Sequence, residues 1–348
     1  MINKIKLKNF TCFKNTDLNF SKGINVIIGE NGTGKSNLLR LPYTITYLGS
    51  KFNGETSKNI FQQRIAEKLV SVFRPESLGR LVKRKEGKER CEIGLFFDDN
   101  NLDIEFSFAS NSKSEVEIIK IPKKFQINNS IYFPTRELLS IYPGFISLYE
   151  NYHLEFEETW RDTCLYLGSP TAKQTQYKKS FQKILTALED LMNGKIVLEK
   201  NGRFYLNEKD NGKTEITLAA EGMRKIAMLT QLILTDTLTE NSYFFWDEPE
   251  SNLNPKIIRT VSQIIMELTA LNVQVFIGTH SLFLLKEIEI LLNDIRYKNT
   301  PARFIGLKQT GDAVQVEQAD DINDLETITA LEEELIQSDR YMEVVNAD

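Results

Sequence analysis

Eight consecutive residues, Gly29-Glu30-Asn31-Gly32-Thr33-Gly34-Lys35-Ser36, fill every position of the pattern G-x-x-x-x-G-K-[S/T]. The context restricts the fold further. The preceding stretch, Gly23-Ile-Asn-Val-Ile-Ile28, reads as a buried strand, and Ser36-Asn37-Leu-Leu-Arg40 reads as the start of a helix. A strand that enters a helix through a glycine-rich loop lets successive backbone N–H groups surround phosphate oxygens at a helix N-terminus. Residues 29–37 are therefore expected to cradle the phosphates of a nucleotide. Lys35 would reach the β- and γ-phosphates, and the Ser36 hydroxyl would hold Mg²⁺.

Two later segments extend this reading. Tyr243-Phe-Phe-Trp-Asp247-Glu248-Pro249 is an apolar run that ends in two acids. A buried strand of this kind delivers carboxylates to the C-terminal edge of an α/β sheet, where ligands bind. Asp247 is expected to act on Mg²⁺ and Glu248 on the attacking water as general base. Val275-Phe-Ile-Gly-Thr-His280 is a second buried strand, and it brings His280 to the same edge as a γ-phosphate contact.

Alternation of strands and helices in the last third argues for a mostly parallel sheet. Strands are expected near 242–246, 273–278, 303–307 and 313–317, with helices near 222–238, 254–270 and 281–292. Three alternating runs near 91–97, 102–108 and 115–121 read as an antiparallel meander, and 137–193 as mostly helical. The fold class is thus α/β, with an antiparallel β subdomain and a helical insertion. Because the nucleotide elements sit at both ends, the chain reads as one domain over 1–348. Its core is about 1–50 and 218–317, its insertion about 51–217, and its acidic C-terminal helix about 318–348.

Composition excludes several classes. No apolar run approaches the roughly 18 residues of a membrane span, and a cytoplasmic location is expected. Three separated cysteines suit a reducing compartment, and two histidines cannot complete a Cys/His zinc pattern. The net charge of −5 is uneven: residues 318–348 carry ten acids and one base, which leaves the remaining body at +4.

The three nucleotide elements, in this order, resemble the ATP-binding cassette (ABC) ATPases. The opening Ile5-Lys-Leu-Lys-Asn-Phe10 and the run Gly23 to Gly32 look like the RecF/SMC/OLD branch. The resemblance implies ATP and Mg²⁺ as ligands, a homodimer or an assembly of dimers, and hydrolysis between two copies. Glu250-Ser-Asn-Leu-Asn-Pro255 matches the loop that crosses to the partner in that branch. Leu218-Ala-Ala-Glu-Gly222-Met-Arg-Lys225 matches the signature loop, with Gly222 acting in trans. It departs from the pattern at Ala220, where the family has a serine, and at Glu221, an acid before the glycine. The segment 131–137 occupies the place of the loop that normally offers a glutamine to Mg²⁺, and there Thr135, Arg136 or Glu137 stands as substitute. Gln62 and Gln63 lie in a helical stretch.

OLD-like relatives carry a nuclease domain behind the ATPase. Here 68 residues follow His280 and hold no Asp-x-Asp cluster, so no intrinsic nuclease is expected. The favoured reading is an ATPase switch of a bacterial antiphage defence system that controls a separately encoded effector. The alternative is a DNA repair or recombination ATPase that binds DNA through the basic segment 74–90, whose cations include Arg74, Arg80, Lys83, Arg84, Lys85, Lys88 and Arg90. In the C-terminal helix Leu325, Ile328, Leu331, Leu335 and Met342 form an apolar stripe expected to face the core. Tyr132, Phe133, Trp160 and Trp246 read as core aromatics.

Overall fold

The structure is a computed structural model that describes residues 1–52, 57–83, 89–125, 128–152, 154–171, 176–326 and 329–345. The chain opens with β1 (Ile2–Phe10), β2 (Phe13–Asn19) and β3 (Ile24–Gly29), then α1 (Lys35–Lys51) and α2 (Lys58–Phe73). The meander is β4 (Arg90–Phe97), β5 (Ile104–Ala109) and β6 (Glu117–Lys120), followed by β7 (Ser130–Phe133). Helices α3 (Tyr142–Tyr152), α4 (Glu158–Leu167) and α5 (Gln176–Leu191) lead to a small sheet of β8 (Gly194–Leu198), β9 (Phe204–Glu208) and β10 (Gly212–Glu215). The last third holds α6 (Glu221–Leu234), β11 (Tyr243–Asp247), α7 (Pro255–Ala270), β12 (Gln274–Thr279) and α8 (Leu282–Leu292). It ends with β13 (Ala302–Thr310), β14 (Ala313–Ala319) and α9 (Thr329–Val345).

Two large sheets organise the molecule. One is antiparallel, in the order β2-β1-β4-β5-β6; the other runs β14-β13-β3-β12-β11-β7 and is parallel except for β14. The near-continuous apolar runs of β3, β11 and β12 follow from their place at the centre of a sheet covered on both faces. Along them the side chains alternate between two cores. Val26, Ile28, Phe244, Trp246, Val275 and Ile277 meet the helices α4 to α8. Ile27, Tyr243, Phe245 and Phe276 meet α1, α2 and the antiparallel sheet. Helix α1 is therefore sandwiched between the sheets, with Leu38, Leu39, Leu41 and Tyr43 fully buried.

Buried amides stitch the two sheets where their strands begin. Gln274 accepts from the Ile2 N–H at 2.8 Å and donates to the carbonyls of Ile2 at 2.7 Å and Ser21 at 2.8 Å. Asn25 accepts from the Ser21 N–H at 2.7 Å and donates back to the Ser21 carbonyl at 2.9 Å.

The expected fold class holds, with three refinements. The first two strands belong to the antiparallel sheet, not to the nucleotide-bearing one. The parallel sheet draws its edge strand β7 from the stretch assigned to the insertion, because Ser130–Phe133 pairs in register with Tyr243–Trp246. Of the C-terminal stripe, Leu325 is buried as expected and Met342 is exposed, together with Ile336, Tyr341 and Val344 beside it. Ile322 and Leu325 already close this end of the core, and α9 begins beyond it. The side chains of Ile328, Leu331 and Leu335 lie outside the described residues. No helix among the described residues is long and apolar enough to cross a membrane.

Candidate nucleotide site

The C-terminal ends of β3, β11 and β12 bring the three sequence signals together. Residues 30–34 turn tightly between β3 and α1, with Gly32 at φ 85° and Gly34 at φ 97°. Those left-handed conformations are ones that L side chains rarely adopt, and glycine takes them without a Cβ penalty. At Gly34 space is short as well, since a Cβ there would lie 2.6 Å from Cys12 Sγ. Thr33 braces the turn through its hydroxyl, which donates to the Glu30 carbonyl at 2.8 Å. Glu30, Asn31 and Gly32 line its outer rim. Asn37 turns its amide onto Thr11 Oγ at 3.2 Å, which ties α1 to the β1–β2 turn.

Lys35 is 6% exposed, and its ammonium donates back to the carbonyls of Gly29 at 2.7 Å and Glu30 at 2.9 Å. Burial lowers its pKa, opposed by the negative charge of Glu248, Asp247, Glu250 and Glu30. An ammonium parked on loop carbonyls beside these four acids can exchange those contacts for phosphate oxygens. Ser36 is half-buried at the first turn of α1, close to this group.

Asp247 ends β11 and is 5% exposed. Its Oδ2 accepts from the Tyr132 hydroxyl at 2.9 Å. Tyr132 comes from the neighbouring strand β7, and burial, then the adjacent Asp247, raises its pKa well above normal, so it remains a donor. Behind it, Arg40 reaches the Tyr132 hydroxyl at 3.4 Å and pairs with Glu157 at 2.7 Å. The oxygens of Ser36 and Asp247 form a hard donor set that fits Mg²⁺ held partly through water.

Glu248 follows with φ 49°, and its N–H donates to the Gly278 carbonyl at 2.9 Å. His280 lies at the end of β12 with its side chain half in solvent, its Nδ1 3.2 Å from Glu248 Oε1 and 3.8 Å from Glu250 Oε1. Glu250 itself is buried and accepts from the Thr279 hydroxyl at 2.7 Å.

Gly222, expected to serve a second copy, lies apart from this group at the first turn of α6. A Cβ on it would sit 2.7 Å from the Asn252 carbonyl, so the signature turn packs directly on loop 250–253. Leu218, just before it, is 74% exposed. Glu137 is withdrawn as a substitute for the missing glutamine, because it is buried and paired with Arg224 at 2.8 Å. Thr135 and Arg136 follow β7 at the sheet edge, the former half-buried and the latter exposed. Gln62 and Gln63 lie on α2.

Of the basic segment, Arg80 pairs with Glu76 at 2.9 Å, Arg90 pairs with Glu117, and Lys83 donates to the carbonyls of Cys12 and Asp312. Arg84, Lys85 and Lys88 lie outside the described residues.

The sequence reading missed Tyr132, Glu250 and Lys225 as parts of this site. Tyr132 was assigned to the core alone; the strand pairing that aims its hydroxyl at Asp247 leaves no mark in the pattern. Lys225 left one signal, a cation in phase with buried Gly222, Leu229 and Leu232 on one stripe of α6.

Comparison with known proteins bears on the family and the fold. The family model described as "AAA domain, putative AbiEii toxin, Type IV TA system" matches residues 24–286. A Methanococcus maripaludis protein named "DNA double-strand break repair Rad50 ATPase" is 27% identical over 285 residues, covering 79% of this chain and 26% of that protein. A Helicobacter pylori "ATP/GTP phosphatase" is 29% identical over 142 residues, 39% of this chain and 37% of that one. The chain therefore spans well under two thirds of either relative. An Smc head domain with an extended coiled coil from Pyrococcus furiosus, solved bound to the C-terminal domain of ScpA, superposes with a TM-score of 0.54 at 12% identity, covering 99% of both chains. At that identity the likeness concerns the fold.

Proposed function

We propose that this chain, which belongs to the AAA-domain family described as a putative AbiEii toxin of a type IV toxin–antitoxin system and is an ABC-type ATPase of the RecF/SMC branch, is a switch that closes on a second copy of itself around Mg-ATP and reopens on hydrolysis. The observation that carries this reading is the convergence of Lys35, Asp247, Glu248 and His280 at one edge of the parallel sheet.

In this reading the phosphates enter the turn 29–37 and draw the Lys35 ammonium off the carbonyls of Gly29 and Glu30. A magnesium ion held by Ser36 and Asp247 would supply charge neutralisation on the phosphates. Tyr132 holds the Asp247 carboxylate through Oδ2 and would orient it toward such an ion. The cleft lined by Thr11, Cys12, Lys83, Gln309 and Asp312 adjoins the loop through Cys12 and would take the nucleoside end. His280 rests against Glu248, the group that must polarise water. A γ-phosphate that attracts His280 frees the Glu248 carboxylate, so the base is released when nucleotide is in place.

The second copy completes the site with its first turn of α6. Ala220 and Glu221 leave that turn without a serine hydroxyl, and its contribution reduces to backbone N–H groups and the helix dipole at Gly222. The exposed Leu218 beside it suits a surface that meets another chain. The switch acts on a separately encoded effector in a defence system; the family description bears on the link to a toxin–antitoxin system and says nothing of a separate effector. The cations of 74–90 that are described are largely engaged with acids and carbonyls, which weighs against a free phosphate-binding stripe there.

The test is the mass in solution of Glu248→Gln with and without Mg-ATP, repeated with Lys35→Ala. A dimer-based species that needs ATP and disappears with Lys35→Ala is expected. An unchanged mass together with no ATP turnover by the wild type would overturn the switch. DNA cleavage by the purified chain alone would remove the need for a separate effector.

A further inference from the structure

A buried cation joins the hydrolytic loop to the signature turn. Lys225, on α6, is 2% exposed. Its Nζ donates to the Glu248 carbonyl at 2.7 Å and to the hydroxyl and carbonyl of Ser251 at 2.5 and 3.4 Å. The acidic groups around it are Glu250, Glu248 and Asp247 from the strand end and loop, and Glu221 from its own helix. Burial outweighs them and lowers its pKa to about 8. Simple space-filling does not account for a lysine here, because a methionine would pack the same volume without desolvating a charge.

The atoms it holds identify its use. Glu248 has a left-handed backbone at φ 49°, which costs a non-glycine residue on the order of 1 kcal/mol or more and persists only where surroundings enforce it. Hydrogen bonds on both sides of the residue enforce it. The Gly278 carbonyl takes the Glu248 N–H at 2.9 Å, and the Glu248 carbonyl accepts from Lys225 Nζ at 2.7 Å, from the Ser251 N–H at 3.1 Å and from the Ser251 hydroxyl at 3.0 Å. Turning either flanking peptide swings the carboxylate away from the sheet edge. Lys225 also sits one turn after Gly222, whose Cα is packed against the Asn252 carbonyl. The first turn of α6 and the loop 248–252 are thus joined at two points, one a close backbone contact and one a set of charge-assisted hydrogen bonds.

We propose that Lys225 is a positioning residue for hydrolysis: it ties the Glu248 peptide to the first turn of α6, so that contact of this turn with nucleotide on a second copy sets the carboxylate in its own site. This deepens the switch reading and rests on it. Each copy would then present a competent base only when its α6 is docked, which couples the two sites of a dimer.

The test compares Lys225→Met, Ser251→Ala and the double variant by steady-state ATPase and by binding of a fluorescent ATP analogue, with thermal melts as a check on folding. Lys225→Met is expected to lower kcat roughly 10- to 100-fold, with analogue affinity within about threefold of wild type, as for a displaced catalytic group. Ser251→Ala, which removes one of the acceptors, is expected to lose less. The double variant should lose less than the sum of the two single losses, since Lys225 and the Ser251 hydroxyl hold the same Glu248 carbonyl. Wild-type kcat in Lys225→Met, affinity lost in proportion to rate, or additive losses would each overturn the proposal. A wild type whose hydrolysis is insensitive to Glu248→Gln would instead remove the reading of the site itself.

Discussion

The two halves of the nucleotide machinery are built differently. The phosphate-loop half is closed on itself: Lys35 is nearly buried, its donors are taken by its own loop, and Asp247 is held by Tyr132. The signature half is turned outward, with Leu218 largely in solvent and α6 capped by Ala220, which makes no side-chain hydrogen bond to its first turn. One half is held by its own contacts; the other begins a helix whose N-cap, Ala220, offers its first turn no side-chain acceptor. The difference teaches where each half finds its partner groups. In the proposed switch the first half takes a nucleotide, and the second would meet a nucleotide carried by another copy.

The sharpest way to break that contrast is inside the loop. Gly34→Ala meets both a φ of 97° and a Cβ contact of 2.6 Å with Cys12 Sγ, whereas Gly32→Ala meets only a φ of 85° with open space around it. Gly34→Ala should lower ATP affinity by about 100-fold or more, and Gly32→Ala by roughly tenfold less than that, as read by calorimetric titration. Equal losses would show that the loop is not packed against the β1–β2 turn in solution.

A smaller effect is expected in the outward half. Gly222→Ala pushes a methyl to 2.7 Å from the Asn252 carbonyl and shifts the signature turn. Binding of ATP to the single chain should be unchanged, while the ATP-dependent dimer and the turnover rate fall about 10- to 100-fold. Light scattering and a phosphate-release assay separate the two; a loss of ATP affinity equal to the loss of turnover would merge the halves into one site.

The smallest concerns Tyr132→Phe. It removes the one hydroxyl on Asp247 Oδ2 and keeps the ring in its core position. The Mg²⁺ concentration for half-maximal rate should rise a few-fold at nearly constant maximal rate, which is the scale of about 1 kcal/mol for one hydrogen bond. No change in the Mg²⁺ titration would show that Asp247 is oriented by the strand alone.

Much of this was legible in the chain. The phosphate loop needs only consecutive residues, since its turn and helix start are encoded within 29–37. The strands β3, β11 and β12 were visible because burial on both faces leaves almost nothing polar in them. Their acids and histidine could be placed because a strand end is where such a run stops. By contrast, what covers the C-terminal stripe was not legible, because helical spacing reports that one face is apolar and not which surface receives it. The place of β7 was equally hidden, since a four-residue strand carries no address for its neighbour.

The sequence by itself determined the fold class, the phosphate loop and the identity of the acids at the sheet edge, because each depends on local geometry and on apolar periodicity. The tertiary structure alone decided that Tyr132 meets Asp247 across 115 residues, that Lys225 holds the carbonyl of Glu248, and that Gln274 joins the two sheets through Ile2. Strand order and register bring those side chains together. Periodicity specifies which face a residue takes and leaves open which partner it will find there.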